Sequence, residues 1–155
     1  MRIGFDIDGV VAEQHLIILR MIDMDSDLDR KDELFKYYYL HRRIEVNPID
    51  FLAEEDELYL ITGRSKKYWN ITTEWKNRYF PKAKLVMLGQ IEPEEDTEME
   101  KWFVEQARMK AKALEKYDID IYIEDTPEIV RELRKMNLKC LIIQYGGRIF
   151  DREIT

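Results

Sequence analysis

The chain is poor in cysteine, proline and glycine, and it has no long hydrophobic run. Its 155 residues include 1 cysteine, 4 prolines and 6 glycines. The lone Cys140 excludes an internal disulfide and a cysteine-based zinc site, and it favours a reducing compartment, the cytoplasm. No stretch reaches about 18 uncharged apolar residues, so we expect no membrane-spanning segment and no membrane partner.

Positively charged residues are fewer than negatively charged ones. Lys and Arg number 25 against 32 Asp and Glu, which gives a formal net charge of -7. This balance argues against an extended nucleic-acid-binding surface or a polybasic membrane contact, although it leaves room for a local basic pocket. Hydrophobic residues make up 45% of the chain, which is enough for a buried core. The length predicts a single domain over residues 1–155.

Short apolar runs alternate with longer stretches of helical pattern. The runs have strand length and are rich in β-branched and aromatic residues; they cover 3–7, 58–62, 83–88, 119–125 and 138–145. The helical stretches cover 66–79, 97–117 and 127–136, and Thr97 with Glu100 forms a capping-box pattern at the start of the second. This alternation predicts an α/β fold with a doubly wound parallel sheet of about five strands.

A segment from about residue 12 to residue 56 interrupts the alternation. Its pattern predicts two or three helices, at 15–22, at 34–43 and after Asn47. The segment is too long for a simple crossover connection. We interpret it as a small helical insertion after the first strand, folded over one edge of the sheet. An ordinary pair of surface helices is the alternative.

Polar side chains gather where three predicted strands end. Asp6 and Asp8 end the first, Thr62 ends the second, and Glu124 and Asp125 end the fourth. Open parallel sheets bind ligands at the carboxyl ends of their strands. Residues two apart on a strand point the same way, and carboxylates this close repel unless a cation lies between them. Oxygen ligands without a His or Cys cluster favour Mg²⁺ as the metal. The alternative for the first pair is an Asx turn with a helix cap.

Three motifs in this order resemble the haloacid dehalogenase (HAD) superfamily of aspartate-nucleophile phosphatases. They are FDIDGVV at the N-terminus, LITGR in the middle and YIEDTPE late in the chain. The resemblance covers residues 1–11 and 57–145. It implies a Rossmann-like three-layer α/β/α core with a helical cap after the first strand. The DGVVAE and IEDTPE sequences are most similar to the 5′(3′)-deoxyribonucleotidase-like branch.

The resemblance assigns roles to the acidic residues. Asp6 would be the nucleophile that accepts the phosphoryl group, and Asp8 would protonate the leaving alcohol and later activate water. Mg²⁺ would be held by Asp6, Asp8 and Asp125. Glu124 replaces the aspartate that is frequent at its position, so its contact with the ion would be indirect.

The remaining motifs supply phosphate-binding groups. By resemblance, the Thr62 hydroxyl and the Gly63 backbone N–H would bind the phosphoryl oxygens. Arg64 follows in the same loop; a substrate contact is one interpretation, and a solvated loop charge is the one we favour.

The family's lysine has three candidates on the predicted helix 97–117, which are Lys110, Lys112 and Lys116. Lys110 lies seven residues after Phe103 and so returns to the apolar stripe of the helix, whereas Lys112 falls near the opposite face. A charge on a buried stripe usually has an anionic partner. The pattern therefore favours Lys110 as the phosphate-binding lysine, with a stem that snorkels off the helix edge as the alternative.

The expected activity is that of a Mg²⁺-dependent phosphomonoester hydrolase with a phospho-aspartyl intermediate, a 5′-nucleotidase being one form of it. The alternatives are a phosphatase for a sugar phosphate or for a terminal phosphate on nucleic acid, and a non-catalytic binding protein of the same fold. The expected partner is a small-molecule phosphomonoester. The insertion is short for a roofed pocket, so an open site and closure by a second subunit of a homo-oligomer are both left open.

Overall fold

Five parallel strands form one sheet in the computed structural model, which describes residues 1–89 and 98–146. The strands are β1 (Arg2–Asp6), β2 (Glu57–Thr62), β3 (Lys84–Met87), β4 (Ile121–Glu124) and β5 (Leu141–Gln144). All the pairings are parallel and the order is β3-β2-β1-β4-β5. The predicted α/β class and the five strands are confirmed.

The helices are α1 (Leu16–Asp23), α2 (Leu28–Leu40), α3 (Trp69–Tyr79), α4 (Met99–Lys116) and α5 (Pro127–Lys135), with 3₁₀ turns at Pro48–Asp50 and Lys66–Tyr68. Helix α2 begins well before its predicted start at Leu34, because the Asp27 side chain accepts hydrogen bonds from the backbone N–H groups of Asp29 and Arg30. The predicted capping residue Thr97 lies outside the described residues. None of the helices described combines the length and apolar character that a membrane span requires.

Two apolar layers cover the two faces of the sheet. On one face Phe5 and Leu60 pack with Trp75 of α3. On the other face Tyr122 packs with side chains of α4 and α5, among them Leu114 and Leu133. The central strands β1, β2 and β4 are buried on both faces, as their nearly continuous apolar sequences require, whereas the edge strands β3 and β5 are partly exposed. The result is a three-layer α/β/α arrangement of the Rossmann type.

The order of the strands determines where a ligand can bind. The chain proceeds outward from β1 through β2 to β3, and then returns to the other side of β1 to build β4 and β5. Such a reversal opens a crevice at the carboxyl ends of the central strands. The ends of β1, β2 and β4 therefore meet at one place.

The insertion between β1 and β2 packs on the helical layer beside this crevice. Helix α2 lies against α3, and the Trp75 indole N–H donates to the Arg42 carbonyl oxygen at 2.8 Å. Helix α1 is tied to α2 where the His15 backbone N–H donates to the Tyr38 hydroxyl at 2.9 Å. Through these contacts the insertion reaches the carboxyl ends of the strands, where Leu19 and Tyr39 border the crevice.

Candidate active site

A cavity of about 290 Å³ lies at the carboxyl ends of the central strands. Strand ends supply its acidic residues, α4 supplies the polar Gln106 and Lys110, and α1, α2 and α5 complete the wall. The lining includes Asp6, Asp8, Gln14, Leu19, Tyr39, Thr62, Gly63, Arg64, Trp102, Phe103, Gln106, Lys110, Asp125, Thr126 and Ile129. The candidate residues Asp6, Asp8, Thr62, Gly63, Arg64, Lys110 and Asp125 thus share one cavity, and Glu124 lies beneath it.

The turn after β1 depends on Gly9. Its φ is +86°, a conformation that side chains of L-residues rarely adopt. A Cβ at this position would lie 2.0 Å from Asp125 Oδ2 and 2.7 Å from its Cγ. The absence of a side chain therefore lets the β4 carboxylate approach the turn that carries Asp8.

Three carboxylates converge at the base of the cavity. Oxygen atoms of Asp6, Glu124 and Asp125 lie within 4.8 Å of one another. Burial, together with the neighbouring Glu124 charge, raises the pKa of Asp6 well above its usual range. The same two causes raise the pKa of Asp125 to about 7. A cation between these oxygens would relieve both effects, so the donor set fits a hard divalent metal such as Mg²⁺.

Lys110 provides the positive charge at this cluster. The residue is 3% exposed. Its Nζ lies 3.4 Å from Asp6 Oδ1 and donates a hydrogen bond to Glu124 Oε2. Burial alone would lower the pKa of Lys110, but Asp6 and Glu124 outweigh burial and hold it above its ordinary value. Lys112 is exposed, so the two lysines have the orientations that the helical periodicity predicts.

Glu124 is saturated with hydrogen bonds. Its Oε2 accepts from Lys110 and from the Tyr122 hydroxyl at 3.0 Å, and its Oε1 accepts from the backbone N–H groups of Asp125 and Thr126 at 3.1 and 3.2 Å. Burial would raise the pKa of Glu124, but Lys110 reverses this direction and holds the pKa below its usual range. Glu124 thus anchors the lysine, and direct metal ligation would cost it hydrogen bonds.

Asp8 lies outside the carboxylate cluster and pairs with Arg64. The guanidinium donates from Nε to Asp8 Oδ2 at 2.8 Å and from Nη2 to Oδ1 at 2.7 Å. It also donates from Nη1 to Thr72 Oγ1 at 3.2 Å, and its Cζ lies 4.0 Å from the centre of the Tyr39 ring. The interpretation of Arg64 as a solvated loop charge is wrong, because this side chain is buried and holds both oxygens of Asp8.

The end of β2 forms the opposite wall. Thr62 is buried, and its Oγ1 accepts a hydrogen bond from the Arg64 backbone N–H at 3.2 Å. Gly63 follows, and a Cβ there would lie 3.3 Å from Gln106 Oε1. The strand end and α4 therefore approach each other closely across the cavity.

Three residues of the site were missed from the sequence. Thr72 holds Arg64, Tyr122 holds Glu124, and Gln106 lines the cavity. For Gln106 a signal was present, because it lies four residues before Lys110 and therefore shares its helix face. For Thr72 and Tyr122 the sequence offers no signal. The sequence also predicts that one or two of the successive tyrosines 37–39 roof the site, and Tyr39 is the one that lines the cavity and stacks on Arg64.

The sequence matches no family model and no curated protein. The fold is similar to a chain in the structure of a Pnkp1/Rnl/Hen1 complex, with a TM-score of 0.58 and 11% identity over 94% of this chain and 46% of that chain. It is also similar to a chain of the Pnkp1/Rnl/Hen1 RNA repair complex, with a TM-score of 0.55 and 13% identity over 94% and 42% of the two chains. This chain spans less than half the length of either neighbour, and the similarity is one of fold.

A third similarity is to the HAD domain of the effector protein Lem4 from Legionella pneumophila. It has a TM-score of 0.45 and 13% identity, over 99% of this chain and 92% of that domain. A TM-score at this level supports no further inference.

Proposed function

We propose that the protein is a Mg²⁺-dependent phosphomonoester hydrolase of the HAD superfamily that uses Asp6 as its nucleophile. The observation that carries the proposal is the convergence of Asp6, Asp125 and the buried Lys110 at the carboxyl end of β1, with Asp8 two residues further along. The sequence around these residues resembles the superfamily's motifs, and the arrangement of the strands is compatible with its core.

Several residues of the chain would together bind the phosphoryl group. Asp6 and Asp125 would hold Mg²⁺, which when bound neutralises charge on the phosphoryl oxygens. Lys110, the Thr62 hydroxyl and the Gly63 N–H would contact the same group from two sides. Positioning and electrostatic stabilisation of this kind account for most of the catalysis in phosphoryl transfer.

The reaction would proceed in two steps. A carboxylate oxygen of Asp6 attacks phosphorus, the ester bond breaks, and Asp8 gives a proton to the departing oxygen. Water then attacks the phosphorus of phospho-Asp6, the ionised Asp8 accepts the water's proton, and Asp6 and phosphate are released. Covalent catalysis replaces one difficult displacement with two easier ones. Both oxygens of the ionised Asp8 accept hydrogen bonds from Arg64, so one of these bonds would open where Asp8 carries its proton in the first step, and both would hold the carboxylate in the second.

The size of the cavity supports a small substrate. At about 290 Å³ it lies at the lower end of the range for small-molecule sites. A phosphoryl group and a small leaving group fit this volume. A 5′-nucleotide is a candidate because the motifs resemble the nucleotidase-like branch. A terminal phosphate on RNA is a second candidate, since one neighbour in fold belongs to an RNA repair complex.

Phosphate release from an aryl phosphate tests the proposal. We expect turnover in Mg²⁺, none after exhaustive chelation, and none for Asp6→Asn, which removes the nucleophile with little change of volume. Asp118→Asn is the matched control, because Asp118 is exposed and its φ of 53° is one that asparagine tolerates. Turnover by Asp6→Asn, or full turnover without a divalent metal, would contradict the proposal. A panel of nucleotides, sugar phosphates and 3′- or 5′-phosphorylated oligonucleotides would then identify the substrate class.

A further inference from the structure

Gln106 is a buried polar residue with no role in the proposed reaction. It lies on α4, and its side chain belongs to the wall of the cavity. The residue is 3% exposed. It lies four positions before Lys110, so both side chains lie on one face of the helix, about 6 Å apart along its axis.

The direction of α4 places Gln106 above Lys110 in the cavity. Helix α4 connects two parallel strands, β3 and β4, so it runs opposite to them and begins at their carboxyl ends. An earlier residue on the helix is therefore nearer the mouth of the cavity. Gln106 faces Gly63, because a Cβ on Gly63 would lie 3.3 Å from Gln106 Oε1. The side chain thus lies beside the loop where a phosphoryl group would be bound.

The amide of Gln106 has an unused donor. Within residues 1–89 and 98–146, no hydrogen-bond partner is in reach of its buried Nε2. The neighbouring polar side chains differ from Gln106 in this respect, because Lys110, Arg64 and Thr62 all have hydrogen-bond partners at the site. A buried donor without a partner destabilises a fold, and a side chain with such a donor on a cavity wall fits an acceptor supplied by a ligand. In the orientation described, Nε2 is turned away from the cavity and Oε1 faces Gly63. Rotation about the Cγ–Cδ bond exchanges Nε2 and Oε1, so the NH₂ group can be turned toward Gly63.

We propose that Gln106 binds a non-bridging oxygen of the phosphoryl group through its Nε2. The inference rests on the proposed function in one respect, that a phosphoryl group occupies this cavity. Lys110 would contact the group from below, Thr62 and Gly63 from the side, and Gln106 from the mouth. Because the amide is neutral, it adds a directed hydrogen bond without drawing Asp6 or Asp125 away from the metal.

Two substitutions at this position test the proposal. Gln106→Leu removes the donor at similar volume, and Gln106→Glu replaces it with an anion that repels phosphate. Hydrogen bonds to charged groups predict about a tenfold to hundredfold loss in the affinity for inorganic phosphate in Mg²⁺, and a similar loss in kcat/KM on an aryl phosphate, for Gln106→Leu. The loss should be larger for Gln106→Glu. Gln144→Leu, the same change at an exposed end of β5, should alter neither quantity.

The melting temperature separates binding from a structural role. Leucine removes an unpaired buried amide, so Gln106→Leu should melt no lower than the unsubstituted protein while binding phosphate more weakly. If Gln106→Leu does not fold, Gln106→Met provides the same comparison. Phosphate affinity within twofold of the unsubstituted protein in a folded Gln106→Leu or Gln106→Met variant would overturn the inference.

The outcomes distinguish this inference from the proposed function. A protein that hydrolyses phosphomonoesters equally well without Gln106 would retain its function and refute the inference. A protein that binds phosphate through Gln106 but hydrolyses no ester would support the inference and refute the proposed function. A protein that neither binds phosphate nor hydrolyses an ester would refute both the inference and the proposed function.

Discussion

Lys110 and Lys112 lie two positions apart on α4 but in opposite environments. Lys110 is buried between Asp6 and Glu124, whereas Lys112 is exposed. The burial of Glu124 is complete, so the lysine charge compensates a carboxylate that water cannot reach. The functional proposal depends on this difference.

Methionine in place of each lysine tests that difference. Lys110→Met keeps the packing of the stem but leaves Glu124 unpaired, so we expect a loss of about 3–5 kcal/mol in the free energy of unfolding. We also expect kcat/KM to fall about tenfold to a hundredfold or more, from the lost charge-assisted contact. Lys112→Met should change stability by no more than about 0.5 kcal/mol and leave the rate unchanged. Urea unfolding and steady-state kinetics measure both, and equal effects of the two changes would refute the assignment.

Gly9 allows a similar comparison of single residues. Gly9→Ala places a Cβ against Asp125 at a positive φ, so it should displace that carboxylate and weaken both Mg²⁺ binding and turnover. Gly89→Ala is the control: its φ of +81° carries the same backbone strain, but its Cβ would make only ordinary contacts with Lys66, at 3.5 Å and beyond. Titration with Mg²⁺ should show weaker binding for Gly9→Ala alone. If Gly9→Ala binds Mg²⁺ as tightly as Gly89→Ala does, Asp125 does not ligate the metal.

At the scale of elements, local sequence predicted the strands well. Each β-branched apolar run overlaps its strand, and the predicted and observed ends agree to within three residues, because burial in the sheet demands such runs. The start of α2 was predicted too late, since the cap at Asp27 is one acid among several in an acidic segment. Local patterns were therefore sufficient for the strands but not for the start of α2.

The partners of the site's side chains were harder to predict. Asp8 and Arg64 are 56 positions apart in the chain, so nothing near either residue indicates the pair. Asp6, Asp125 and Lys110 could be predicted to lie together because parallel topology brings strand ends to one edge and helical periodicity selects a face. Arg64 and Tyr122 could not, since their positions depend on how separate elements pack.

The insertion after β1 contributes Tyr39 to the cavity, and its effect can be measured. Tyr39→Leu removes the ring that stacks on Arg64. We expect it to change the ratio of kcat/KM between a bulky and a small phosphomonoester by about fivefold or more, since Tyr39 also lines the cavity and a change in the fit of a pocket is worth about 1–3 kcal/mol between substrates. Tyr37→Leu is the control, because Tyr37 is 67% exposed. An unchanged ratio for Tyr39→Leu would show that the insertion does not influence substrate choice.

At the scale of the whole molecule, the buried acids couple stability to pH and to metal. The pKa of Asp6 and that of Asp125 are raised in the folded chain above the ordinary value of about 3.9. Between pH about 4 and pH 7, these two carboxyl groups therefore bind more protons in the metal-free native state than in the unfolded state. Their contribution to the free energy of unfolding falls as the pH rises through this window, which reverses the usual behaviour of a salt-bridged aspartate.

Mg²⁺ should compensate this loss. The ion competes with protons for Asp6 and Asp125, so it should raise the melting temperature more at pH 8 than at pH 5. Calorimetry with and without Mg²⁺ at each pH isolates the effect, since other titrations cancel in the difference. Asp125→Asn should reduce the difference between the two pH values. If Mg²⁺ raises the melting temperature equally at pH 5 and pH 8, Asp6 and Asp125 are excluded as the metal site.

The most direct test of the central claim is the chemical identification of the phosphorylated residue. Asp8→Asn should still allow transfer to Asp6 from an aryl phosphate with a good leaving group, but it should slow hydrolysis of the acyl phosphate. Rapid quenching followed by borohydride reduction converts a phosphorylated aspartate to homoserine, which peptide mass spectrometry locates. We predict homoserine at position 6 in Asp8→Asn and none in the double variant with Asp6→Asn. Modification at any other residue, or turnover with no trapped adduct, would contradict the assignment of Asp6 as the nucleophile.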